Sequence, residues 1–185
     1  MSRIHRLWPV LVLVVACDRP AEREPEPYTG ETEPPAMHCD LPAPPAGAPT
    51  VQVVFSCDEQ PVGAWRVLPD VVVDTLAFAL EALLRGPTPE EMSAGLGSFF
   101  SRATEGALAS ARVSDGVAYI DLHDLAGIIP NASSSAGSSQ LLDQLAGTIF
   151  QFDSIREAEI TVDGDCDAFW NWIQRGCQRL SRDEP

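Results

Sequence analysis

Positive charge is scarce in this chain: twelve Lys and Arg residues stand against twenty-seven Asp and Glu in 185 residues, a formal charge of −15. A surface of that sign repels a phosphate backbone or an anionic lipid layer, so nucleic acid is not an expected partner. Long apolar runs are missing as well. The N-terminal run over residues 7–16 is ten residues long, about half of the roughly 20 that a spanning helix needs. Only three histidines occur, no nucleophile-elbow motif surrounds a serine, and no Cys-x2-Cys pair suggests zinc. Asp163, Asp165 and Asp167 alternate as in a calcium loop, but Ala168 holds the position where the loop needs glycine and Gln174 the position where it needs glutamate, which excludes an EF-hand. No metal or other cofactor is expected. Hydrophobic residues nevertheless make up 45% and aromatics 7%, enough for one folded domain.

What is present begins with Arg3, His5 and Arg6 ahead of the apolar run, which ends Val14-Val15-Ala16-Cys17 and is followed at once by Asp18, Arg19 and Pro20. A basic start, a short apolar stretch and small residues before a cleavage point describe a signal peptide over residues 1–16. The end of the run resembles the bacterial lipobox, which implies lipidation of Cys17 as the first residue of the mature chain. The expected location is extracytoplasmic, anchored in the membrane by acyl chains that each contribute about 0.8 kcal/mol per buried methylene. Residues 17–49 then carry nine of the sixteen prolines with Glu22, Glu24, Glu26, Glu31 and Glu33 among them. Such a segment buries too little apolar surface to offset chain entropy and reads as a disordered acidic tether.

With Cys17 assigned to lipid, an even set remains: Cys39, Cys57, Cys166 and Cys177. In an exported chain this implies two disulfides, and four cysteines allow three pairings. Locality joins Cys39 to Cys57 and Cys166 to Cys177. A straight helix, however, would hold residues eleven apart at about 16 Å, so the second pair requires the chain between them to bend back.

In residues 50–182 the patterns alternate between strand and helix. Residues 51–55 and 64–68 read as a hairpin across Pro61-Val62-Gly63. Asp70 is placed to cap a helix with apolar positions at Val73, Leu76, Ala77, Leu80, Leu83 and Leu84, stopped by Gly86 and Pro87. Thr88-Pro89-Glu90-Glu91 has the form of a capping box opening a second helix. Residues 107–113 and 117–122 form a hairpin about Ser114-Asp115-Gly116. Residues 131–139 read as a mobile loop, followed by a helix marked by Leu142, Leu145, Ile149 and Phe152. A strand over 158–162 ends at Asp163-Gly164, and Asp165 or Asp167 caps a segment over 169–174. This order predicts an α+β domain with helices on one face of a sheet.

The stretches ALEALLRGPTPEE, ARVSDGVAYIDL, GSSQLLDQLAGTIFQF and ITVDG occur in the order found in the GerMN domain family of sporulation and germination proteins, which the chain resembles over about residues 51–164. Leu180-Ser181-Arg182 looks like that family's last strand. The resemblance implies a βαββαβ-like fold similar to ring-building motifs, and a role in assembly rather than catalysis.

The expectation is therefore a membrane-tethered, non-enzymatic assembly module acting on envelope protein partners, a second copy of itself included. Trp170 and Trp172 are the candidate interface residues, should either be exposed. Two other readings stay open: a lipoprotein that captures a small molecule or sugar on its aromatic segment, and a hydrolase using His123.

Overall fold

The computed structural model describes residues 39–71 and 74–183. The signal peptide, Cys17, most of the tether and Val73 lie outside the described residues. Within them the elements are β1 (Thr50–Cys57), β2 (Gln60–Val67), α1 (Thr75–Arg85), α2 (Pro89–Ser93), β3 (Leu108–Ser114), β4 (Val117–Leu122), α3 (Ser135–Ile149), β5 (Glu157–Val162), α4 (Cys166–Trp172) and β6 (Leu180–Ser181). This is the expected α+β domain, with the strands divided between a two-stranded sheet, β1-β2, and a four-stranded one in the order β3-β4-β5-β6.

The first hairpin turns earlier than the sequence suggests. Cys57 pairs with Gln60, so the turn is Asp58-Glu59, both with positive φ, 47° and 65°. Pro61, Val62 and Gly63 lie in β2 instead, opposite Ser56, Phe55 and Val54. Proline is tolerated there because in a two-residue hairpin the closing pair shares the hydrogen bonds and the next residue points its nitrogen away from the partner strand. The β3-β4 turn is as expected: Asp115 and Gly116 have φ of 54° and 83°, which matches the right-handed twist of the flanking strands.

Helix α1 is capped by Asp74, whose carboxylate accepts from the Ala77 amide at 3.0 Å, and not by Asp70, which lies outside the helix. Leu76, Leu80, Leu83 and Leu84 are buried. The helix stops at Gly86, with φ 82°, where a Cβ would run into the Phe100 carbonyl. At α2 the capping box forms as read: Thr88 Oγ1 accepts from Glu91 N at 3.2 Å and Glu91 Oε2 accepts from Thr88 N at 2.8 Å. Glu91 also takes both guanidinium nitrogens of Arg66 at 2.6 and 2.8 Å, which ties this five-residue helix, none of whose residues is buried, to β2.

Much of the expected loop over 131–139 is helical. Ser134 caps α3 by accepting from Gly137 N at 3.0 Å, and at Gly137 only hydrogen fits beside the Asn131 carbonyl. The small residues that read as flexible are thus what lets the chain fold tightly into the helix start. Helix α3 crosses between the parallel strands β4 and β5 and lies directly on β1, where Gly147 leaves room for Val54. On the four-stranded sheet, Ala118, Ile120 and Leu122 of β4 and Ala158, Ile160 and Val162 of β5 alternate into one core with Phe55, Leu83, Leu145, Phe169 and Trp170.

Candidate functional site

The four cysteines that could pair do so locally: Cys39–Cys57 with Cα atoms 6.2 Å apart and Cys166–Cys177 with 5.5 Å. The second bond is reached because α4 ends at Trp172 and Gln174, at φ 59°, reverses the chain. Asp165 is the cap of α4, accepting from the amides of Asp167 and Ala168.

Trp170 is not an interface residue on this surface. It is 0% exposed, its ring meets Phe169 edge-on at 5.4 Å, and its Nε1 has no hydrogen-bond partner. Trp172 is half-buried and leans edge-on against Phe169 at 6.0 Å. An amphipathic reading of such a short segment cannot tell which ring faces inward; the disulfide-closed turn behind α4 presses it onto β5 and decides the matter. Ligand capture on Trp170 is excluded by the same burial.

His123 is exposed and its Nδ1 lies 3.0 Å from Asp163 Oδ1. Its sequence neighbour Asp124 turns away to accept from Ala126 N at 2.9 Å. Asp163 belongs to the tight Asp163-Gly164 turn, with φ of 48° and 82°. The pair is open to solvent, and among the described residues no cluster of three His, Cys, Asp or Glu side chains could hold a metal ion.

The two sheets treat their edges differently. On β1 most of the backbone groups facing away from β2 along Gln52–Ser56 are taken up: Gln52 N donates to Gln151 Oε1 at 2.7 Å, Gln151 Nε2 donates to Gln52 O at 2.7 Å, Val54 N donates to Thr148 Oγ1 at 2.9 Å, and Ser56 exchanges backbone hydrogen bonds with Gly97 at 2.9 and 2.8 Å. Helix α3 and the chain at Gly97 thus close that edge, as a buried edge requires. Strand β3 has no such cover. Among the described residues it pairs only with β4, and because the two-residue turn makes Ser114-Val117 a hydrogen-bonded pair, Val113 and Ala111 direct their N–H and C=O outward. Among the described residues no hydrogen bond reaches those groups from a side chain or loop. Ala109, Ser110, Arg112, Val113 and Ser114 are exposed, Val113 by 45%.

Beside this edge, no helix among the described residues lies on the outer face of the sheet. Arg112 lies over the Tyr119 ring at 3.9 Å, and Arg179 bridges Glu159 at 2.9 Å and Glu157 at 3.1 Å. Hydrogen bonds to Glu159 first and Glu157 second hold the Arg179 guanidinium pKa above its ordinary value. Sequence reasoning identified the hairpin but not which of its strands would be left at the rim, since that depends on β5 joining β4 from far along the chain.

A family model described as sporulation and spore germination matches residues 52–166. Among solved structures, the first GerMN domain of the sporulation protein GerM from Bacillus subtilis is similar with a TM-score of 0.52 at 19% identity, over 72% of this chain and 98% of that one. The tandem GerMN domains of the same protein give a TM-score of 0.54 at 17% identity over 73% of this chain. This chain spans 45% of that two-domain structure, less than half its length. No curated protein matches the sequence.

Proposed function

Because the chain belongs to the Germane family, described as sporulation and spore germination, we propose that it is a non-catalytic binding and assembly module of the bacterial cell envelope. In this reading it stands outside the cytoplasm, held to the membrane by lipid on Cys17, with residues 17–49 as its tether. Two disulfides support an oxidising location, and among the described residues no helix is long and apolar enough to cross a membrane.

The observation that carries the proposal is the uncovered edge of β3. Natural sheets blunt such edges unless something pairs with them, and an envelope protein that adds an extended segment there would satisfy the outward backbone groups of Ala111 and Val113. Val113→Pro removes an outward N–H without touching the ladder to β4. It should weaken partner capture from membranes about tenfold, the equivalent of about 1.4 kcal/mol, while the thermal midpoint falls little. Val113→Lys, which places a charge on the edge, should act in the same direction, and His123→Ala should leave capture unchanged. If both β3 variants capture partners like the wild type, the edge is not the docking site. Sedimentation of the purified chain tells whether the added strand comes from a second copy.

The anchor is tested separately. Cys17→Ser is expected to leave unprocessed precursor or to release the protein into the soluble fraction; a variant that matures and stays in the membrane pellet would overturn lipidation at this residue.

A further inference from the structure

We propose that a polar cleft between the β1-β2 turn, residues 95–99 and the middle of α3 binds a single carbohydrate ring. The cleft has a volume of about 290 Å³, and its chemistry comes from Asp58, Glu59, Ser98, Phe99, Gln140 and Gln144. It shares no residue with β3, so it stands or falls independently of the assembly reading.

The starting point is Gln144. This side chain is only 2% exposed; its Oε1 accepts from Ser98 Oγ at 2.6 Å, yet its Nε2 has no partner. Buried amide donors are almost always satisfied, so a lone one on a side chain that borders a cleft points to an acceptor brought by a ligand, met by a small turn of the amide toward the cleft. Gln140 lies four residues earlier and hence on the same side of the helix, and it makes no side-chain hydrogen bond among the described residues. Asp58 and Glu59 are held out by their left-handed backbone, φ 47° and 65°. Neither carboxylate is in an ion pair among the described residues. Phe99, half-buried against the core, adds an aromatic wall.

This set of groups selects its ligand by elimination. A phosphate or carboxylate could accept from Gln144 but would face Asp58 and Glu59. A simple cation would suit the carboxylates but meet the amide donor. An apolar molecule would leave all of these groups unpaired. Hydroxyl groups donate and accept at once, so a neutral sugar satisfies both sides, with a face for Phe99. The volume is at the lower end of ligand pockets, about 300–1,000 Å³, which suits one ring. The walls are fixed in advance by the paired backbone bonds between Ser56 and Gly97 and by Cys39–Cys57, so little ordering would oppose binding.

The test is a titration of the full-length, isotope-labelled chain in detergent with glucose, galactose and N-acetylglucosamine, observing the Gln144 side-chain amide by NMR. At least one sugar should shift that resonance saturably. Asp58→Asn with Glu59→Gln should weaken binding about tenfold or more, and asparagine tolerates the positive φ at the turn, so the domain keeps its fold. Gln144→Met should abolish binding while the remaining spectrum stays folded. Retention on chitin that free N-acetylglucosamine reverses would identify a polymer end as the source; saturable shifts without retention would identify a free sugar. The proposal is overturned if no sugar gives a saturable shift, if acetate or phosphate produces the same shift, or if both variants bind as the wild type does.

Discussion

Replacing all four of Cys39, Cys57, Cys166 and Cys177 by alanine is expected to lower stability by about 6 kcal/mol, about 3 kcal/mol for each closed loop. The bonds enclose sequence separations of 18 and 11 residues, and restricting the unfolded chain over loops of this size accounts for nearly equal contributions. The loops share no residues, so the two losses should add. Small domains are stable by only about 5–15 kcal/mol, so the variant should be close to unfolded at ordinary temperature. The bonds also act on different parts of the fold. Cys39–Cys57 fastens the chain entering the domain to the end of β1, a half-cystine that is 7% exposed. Cys166–Cys177 holds the reversal after α4 that brings β6 beside β5. Urea unfolding of the oxidised wild type, the two single-bond variants and the quadruple variant measures each loss. A quadruple variant with the wild-type midpoint would show that neither bond constrains the unfolded chain.

Trp170→Ala is the second large effect, expected to cost about 3–5 kcal/mol, as for other fully buried aromatic residues. Trp170→Phe should cost far less. It keeps most of the ring against Phe169, and it deletes an indole N–H that finds no acceptor, a desolvated donor whose burial opposes folding by about 1–3 kcal/mol. The contrast between the two variants separates packing from polarity at one position. Thermal or urea unfolding reads it directly, and a Trp170→Ala domain as stable as the wild type would place this ring outside the core. The result also bears on function, because an interface tryptophan would lower partner capture without lowering stability, the reverse of what its burial implies.

What could be read in advance follows the range of the interaction. The box at Thr88 and Glu91 and the Asp115-Gly116 hairpin depend on residues a few positions apart, and each formed where its pattern lies; of the two caps that suited the segment after β5, Asp165 and Asp167, the structure uses Asp165. Reading went astray where two local signals competed. Asp70 suits a cap by residue type, but Asp74, next to the first helical residue, takes the role, and Pro61-Val62-Gly63 looks more like a turn than Asp58-Glu59 does. The second case is decided by the register of β1 against β2, which a strand edge makes compatible with proline. The serine-rich start of α3 looked like loop because small residues favour flexibility when nothing packs on them; here the Asn131 carbonyl does.

The sequence by itself determined the element types, their order, the α+β class and the kinship with GerMN domains, since these rest on periodicity, capping and spacing along the chain. It could not decide which strand stays uncovered, which tryptophan is buried or where polar groups converge. Those depended on contacts such as Gln151 with Gln52, 99 residues apart, and Ser98 with Gln144, 46 apart. Such contacts arise only when α3 settles on β1, and no local pattern records them because the groups become neighbours through packing of the whole core.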